Sequence, residues 1–224
     1  MANAAEVVQK IRSDLSAIDE EIRRHPYLDA IQVGTVPTEA LKSFAGHQYH
    51  IVTSDLRSIA FIIQRFGHPP ARDFFIGILQ GELAAIGRII TMAQRLGMTE
   101  EDLKSYEVSP GGFAYATFMA WQSAYASAAE FTCGILVNFD AWGFNCGCMS
   151  KALRETYGFS SEETAFLDGF ADLPPFEEEA MDIIQHGLDN GVEPKAIHRG
   201  ARLFQGYEKM FWDTMAQVAG VKMV

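Results

Sequence analysis

With 224 residues, 48% of them hydrophobic, and a formal charge of −11 at pH 7, the chain has ample apolar material for one sizeable core, and one domain over 1–224 is expected. The acidic balance argues against a nucleic-acid partner or an anionic membrane surface, both of which select for clustered Lys and Arg. No apolar run approaches the ~18 uninterrupted residues of a membrane span, the opening Met-Ala-Asn-Ala-Ala-Glu lacks a basic flank leading into an apolar stretch, and three cysteines are too few for a disulfide framework, so a cytoplasmic protein is expected.

Residues 3–24 place Val7, Ile11, Leu15, Ile18 and Ile22 on one stripe, which predicts a first helix ending at His25-Pro26, where proline disfavours helix for the residue before it. After a turn at Gly34-Thr-Val-Pro37, Pro37 and the following Glu39 open a second helix that runs to about Phe66. Its inner face carries Leu41, Phe44, Gln48, Ile51, Asp55, Ile59 and Ile62. Gln48 and Asp55 are polar intruders there, two turns apart. Gly67-His-Pro-Pro70 breaks the chain, and a third helix repeats the theme, with Glu82 as a lone inward carboxylate among Phe75, Leu79, Ile86, Ile89, Ala93 and Leu96.

Thr99-Glu-Glu-Asp102 resembles a capping box for a short helix, and the chain turns at Ser109-Pro-Gly-Gly112. From Ser109 to Ser150 only Glu130 and Asp140 are charged. So apolar a stretch predicts two buried central helices, broken between Ala126 and Gly134. Amphipathic helices follow to about Tyr157, from Ser160 to about Phe170, and from Glu177 to Leu188, where Gly187 and Asn190-Gly191 supply the stop. The last helix runs from Glu193-Pro194 to about Ala219, with Ile197, Ala201, Phe204, Phe211 and Met215 on one stripe and Glu208 in its middle. No sustained period-two alternation occurs. The fold class is therefore all-α, a single compact helical bundle.

Helical periodicity points Gln48, Asp55, Glu82, Asn138, Asp140 and Glu208 inward, and Asn138, Trp142 and Asn145 share a face. Polar groups from several helices converging on one interior describe either a small-molecule pocket or structural hydrogen-bond networks. Glu208 is the leading candidate for a working residue, because a carboxylate there must be paired, hydrogen-bonded or held neutral. His47 and His50 could share an ion with Glu82, but the Glu-x-x-His pairs of di-iron bundles are absent. No metal or other cofactor is expected. Cys146 and Cys148, two apart on a helix, point to nearly opposite sides and cannot chelate one ion; buried packing is expected for all three cysteines.

His25-Pro-Tyr27, Gly34-Thr-Val-Pro37, Phe44 leading to His47-Gln-Tyr49, Ala114-Tyr-Ala-Thr117 and Tyr207-Glu-Lys-Met-Phe211-Trp212 together resemble the TenA family. The resemblance spans nearly the whole chain. It implies a haem-oxygenase-like helical fold, a homo-oligomer, a small heterocyclic ligand and the chemistry of aminopyrimidine hydrolases and thiaminases of thiamine salvage. It matches Glu208 to the family's catalytic glutamate and Tyr115 to a pocket tyrosine. Gln48 stands where the thiaminase members carry an aspartate, and Asn138 and Trp142 stand where they carry a nucleophilic cysteine and a tyrosine four residues on. Asn is no nucleophile at neutral pH, so covalent chemistry of that kind is not expected. The resemblance leaves a hydrolase using Glu208, with Asp140 or Glu82 as second carboxylate, and a substrate site of Gln48, Phe44, Tyr49, Glu82, Tyr115, Asn138 and Trp142. A cofactor-free or metal-dependent oxidase of a small molecule, or a binding protein that keeps the bundle without the chemistry, are the alternatives.

Overall fold

The computed structural model describes residues 2–222, and all regular secondary structure among them is helical. The first predicted helix is two, α1 (Ala4–Asp14) and α2 (Ser16–Arg23). At the junction the Ser16 hydroxyl donates to the Ser13 carbonyl at 2.9 Å, a local bond that competes with the helical ladder. His25-Pro26 ends α2 as expected but also starts α3 (Pro26–Gln32), with His25 as N-cap and Pro26 in the first turn. Both His25 nitrogens are engaged: Nδ1 accepts the Tyr27 N–H at 3.2 Å, and Nε2 lies 3.1 Å from Asp213.

The long helices α4 (Thr38–Phe66) and α5 (Ala71–Arg95) pair along their length. By length and composition α5 is apolar enough to cross a membrane, although Glu82 and Arg88 interrupt it. The short α6 (Glu100–Lys104) is closed by the Thr99–Asp102 capping box. Then α7 (Pro110–Tyr125) and α8 (Ala128–Tyr157) form the charge-poor centre. The break between them falls at Ala126-Ser127, where Ser127 and Glu130 cap each other's backbone N–H. Ser-Ala-Ala-Glu130 is thus a start signal that fixes the boundary. Helix α8 runs unbroken to Gly158, whose φ of +71° ends it in the left-handed region.

Three amphipathic helices complete the chain: α9 (Ala165–Ala171), α10 (Glu177–Asp189) and α11 (Pro194–Val218). α9 begins five residues later than the pattern predicts, after a turn in which Ser160 and Glu163 exchange backbone-to-side-chain bonds. α8 is the hub and packs on α11, α9, α10 and α3, while α7 bridges α4 and α11. α8 and α11 cross so closely that a Cβ at Gly134 would run into the Phe204 ring. Phe204 in turn meets Phe118 edge-on at 5.0 Å, and such burial is worth about 3–5 kcal/mol per aromatic side chain. This packing brings α4, α5, α7, α8 and α11 around one interior space.

Candidate active site

That space is a cavity lined by Gln48, Asp55, Glu82, Tyr115, Asn138, Trp142 and Glu208, with Ile51, Val52, Met119, Phe139, Phe170 and Phe211 as its apolar walls. The cavity volume is about 40 Å³. Spacing explains the convergence: Gln48, Ile51 and Asp55 follow at three and four along α4, Asn138 and Trp142 at four along α8, and Glu208 and Phe211 at three along α11.

On the α8–α11 wall Glu208 is 2% exposed. Trp212, four residues on and therefore on the same face, donates its indole N–H to Glu208 Oε1 at 3.1 Å. The Asn138 amide donates to the other oxygen, Oε2. Its second hydrogen goes to Gln205 Oε1 at 3.0 Å, and its carbonyl accepts the Tyr115 hydroxyl at 3.0 Å. Asn138 therefore ties Glu208 to Gln205 and Tyr115 in one network. Burial pushes the Glu208 carboxyl up to about 8, against the pull of the Trp212 and Asn138 donors. At neutral pH most of it is the protonated acid.

On the α4–α5 wall Asp55 and Glu82 are 3% and 7% exposed. Asp55 Oδ1 and Glu82 Oε2 are buried without a hydrogen-bond partner among the described residues. Burial raises both carboxyls, and Glu82 raises Asp55 further by like-charge repulsion. Burial raises the Tyr115 hydroxyl, and Asp55, Glu208 and Glu82 raise it further.

Asp140 does not belong to this site. Two residues beyond Asn138 on α8, it faces the other way, and its half-exposed carboxylate meets Arg12 at 3.3 Å. Phe44 lies behind the lining rather than in it, with its ring stacked on Trp142 at 6.5 Å. Tyr49 is turned aside by the helical step from Gln48 and packs against His50. The histidines do not gather: His47 Nδ1–H donates to the Ser43 carbonyl at 2.8 Å, while Nε2 accepts the Ser109 N–H at 3.0 Å and so caps α7. No three His, Cys, Asp or Glu side chains group to hold an ion among the described residues. Cys133 and Cys146 are buried as expected, but Cys148 is exposed, since the same two-residue step that separates it from Cys146 turns it to solvent.

Asp55 is legible in the sequence as an intruder on an apolar face and as one of the inward polar groups, although the resemblance does not mark it as part of the site. Phe170 carries no such signal, because it reaches the cavity from a separate helix.

An all-α bundle closed around a polar interior cavity is the haem-oxygenase-like architecture, and known structures bear this out. A TenA homologue from P. horikoshii superposes with a TM-score of 0.76 at 18% identity, over 95% of this chain and 99% of that one. A TenA homologue from Pseudomonas syringae gives 0.79 at 16% identity, over 93% and 92%. A domain of unknown function with a haem-oxygenase-like fold from Shewanella denitrificans gives 0.70 at 12%, over 97% and 92%. No curated protein matches the chain significantly. Residues 12–218 match the TENA/THI-4/PQQC family, and the chain belongs to it. At the level of the family its function is thiamine-related.

Proposed function

We propose that the cavity binds a small amine-bearing heterocycle, most simply an aminopyrimidine of thiamine salvage, and replaces an exocyclic amine by water. The observation that carries this reading is Glu208: a fully buried carboxylic acid, held by two donors at a cavity wall, with its proton available near neutral pH. In the reaction the water oxygen forms a C–O bond as the C–N bond breaks. Protonated Glu208 gives its proton to the departing amine, and its carboxylate then takes one from the added water. The products are the alcohol and ammonia, and the acid is restored.

A covalent route through sulfur has no support. Cys133 and Cys146 do not line the cavity; burial pushes the Cys133 thiol up to about 12 and that of Cys146 well above its ordinary value, so neither supplies a thiolate. Asn138 occupies the wall position but is an orienting group. The apolar lining of Ile51, Val52, Phe139, Trp142 and Phe211 suits a flat ring.

The test is ammonia release from the aminomethyl pyrimidine of thiamine breakdown, by wild type and by Glu208→Gln. Wild type should turn over, and the variant should lose about 10²–10⁴-fold while keeping its helical circular dichroism. A folded wild type that releases no ammonia, or a Glu208→Gln variant as fast as wild type, overturns the reading.

A further inference from the structure

Glu208 leaves unexplained the second pair of carboxyls in the same cavity. Asp55 from α4 and Glu82 from α5 are more than nine-tenths buried, and each presents an oxygen that no described residue satisfies. An orphaned buried acceptor is costly, and two such carboxyls on one cavity repel when ionised. No Lys, Arg or His lines the cavity to offset them. The only other titratable groups on the lining are Tyr115 and Glu208, and Tyr115 already donates to Asn138. Gln48, two turns back from Asp55 on α4, adds an uncharged amide to the same wall.

We infer that the Asp55–Glu82 pair is a binding site for a cationic nitrogen group, an ammonium or amidinium, carried by a flat aromatic ligand. Such a group brings a positive charge and two or three N–H donors to a place that has spare acceptors and no counter-charge. A hydroxyl offers a single donor and no charge, and an anion is repelled. No third His, Cys, Asp or Glu groups with them to hold a metal ion among the described residues. The Glu208 wall, whose oxygens are already held, is left free for the reacting end. The inference rests on reading this cavity as the ligand site, and not on the hydrolysis proposed there.

Benzamidine and benzylamine serve as cationic probes and benzyl alcohol as their neutral counterpart, titrated calorimetrically into wild type, Asp55→Asn, Glu82→Gln and Glu208→Gln. The cationic probes should bind wild type at least about tenfold more tightly than benzyl alcohol, and Asp55→Asn and Glu82→Gln should each lose about tenfold or more, as expected for one charge-assisted contact. A loss in folded Glu208→Gln larger than those in Asp55→Asn and Glu82→Gln would put the cation on the Glu208 wall and overturn the inference. Equal binding of benzyl alcohol, or unchanged benzamidine affinity in folded Asp55→Asn and Glu82→Gln, overturns the inference. So does stoichiometric binding of manganese or iron(II) that those two variants abolish. Should one variant not fold, the other reads the same site. Cation binding without ammonia release would leave this inference standing and remove the hydrolase, while ammonia release unaffected at Asp55 and Glu82 would do the reverse.

Discussion

On the α8–α11 wall Glu208 meets an indole N–H and an amide N–H, and that amide is itself held by Tyr115 and Gln205. On the α4–α5 wall Asp55 and Glu82 are as thoroughly buried, yet each keeps an oxygen without a partner among the described residues. Burial raises all three carboxyls, so burial alone does not distinguish them. What differs is what has been built around each. A carboxyl whose oxygens are fixed by the protein is oriented before any ligand arrives, which suits proton transfer. Carboxyls left unsatisfied gain most from what a ligand brings, which suits recognition.

Removing the centre of the held network should have the largest effect. Asn138→Leu leaves the Tyr115 hydroxyl, the Gln205 carbonyl and Glu208 without their partner, at about 1 kcal/mol or more each, for a total of about 3–5 kcal/mol. Urea unfolding should report that loss. A cost below about 1 kcal/mol would mean that the network does not hold Glu208, and would erase the contrast between the walls.

The unheld wall should respond with the opposite sign. A carboxyl raised in the folded state binds its proton there more readily than in the unfolded chain, so its stabilising share is complete below the unfolded pKa, ~4.3 for Glu, and is lost as pH rises through the folded value. For Glu208 that window ends near 8. Asp55 and Glu82 are raised in the same direction. Thermal melts of wild type should therefore fall between pH 5 and pH 9. In Asp55→Asn one buried acid and its repulsion of Glu82 are gone, so the fall should be shallower. Equal slopes would place a partner on Asp55 that the structure does not contain.

Trp212→Phe sharpens the comparison by making the held wall slightly more like the unheld one. The ring is largely conserved, but the N–H to Glu208 Oε1 is lost, at about 1–2 kcal/mol. Since that donor pulls the Glu208 carboxyl down, its removal should carry the acid further up. The alkaline limb of the pH–rate profile should move to higher pH with it. A limb that stays in place would detach the limb from Glu208.

The long helices and the inward position of Glu208 were legible because both follow from period. Pro37, Pro110 and Pro194 mark helix starts, and the stripe through Ile197, Phe204 and Phe211 fixes which side of α11 faces in. The break at Leu15 was not, because the apolar stripe runs straight through it and only the Ser13–Ser16 bond betrays it. The contrast between the walls was also hidden. Periodicity says that Asp55, Glu82 and Glu208 face inward, but whether an inward oxygen has a partner depends on Trp212 and Asn138 arriving from particular directions. That is a tertiary fact.

Asp140 carries the smallest expected effect and tests the boundary of the site. The same helix that turns Asn138 into the cavity turns Asp140 out, onto Arg12, which also meets Glu177. Arg12 is about one-third exposed and Asp140 half-exposed, so solvent and salt screen the pair, and such contacts are worth about 0–1 kcal/mol. Asp140→Asn should therefore cost less than about 1 kcal/mol and leave kcat and KM for ammonia release unchanged. Periodicity points Asp140 inward, and the hydrolase that the resemblance leaves offers Asp140 or Glu82 as the second carboxylate. If kcat instead falls by orders of magnitude in a variant whose melt is normal, the acid that assists Glu208 lies on α8 after all, and the Asp55–Glu82 pair loses its claim to be the second chemical feature of the cavity.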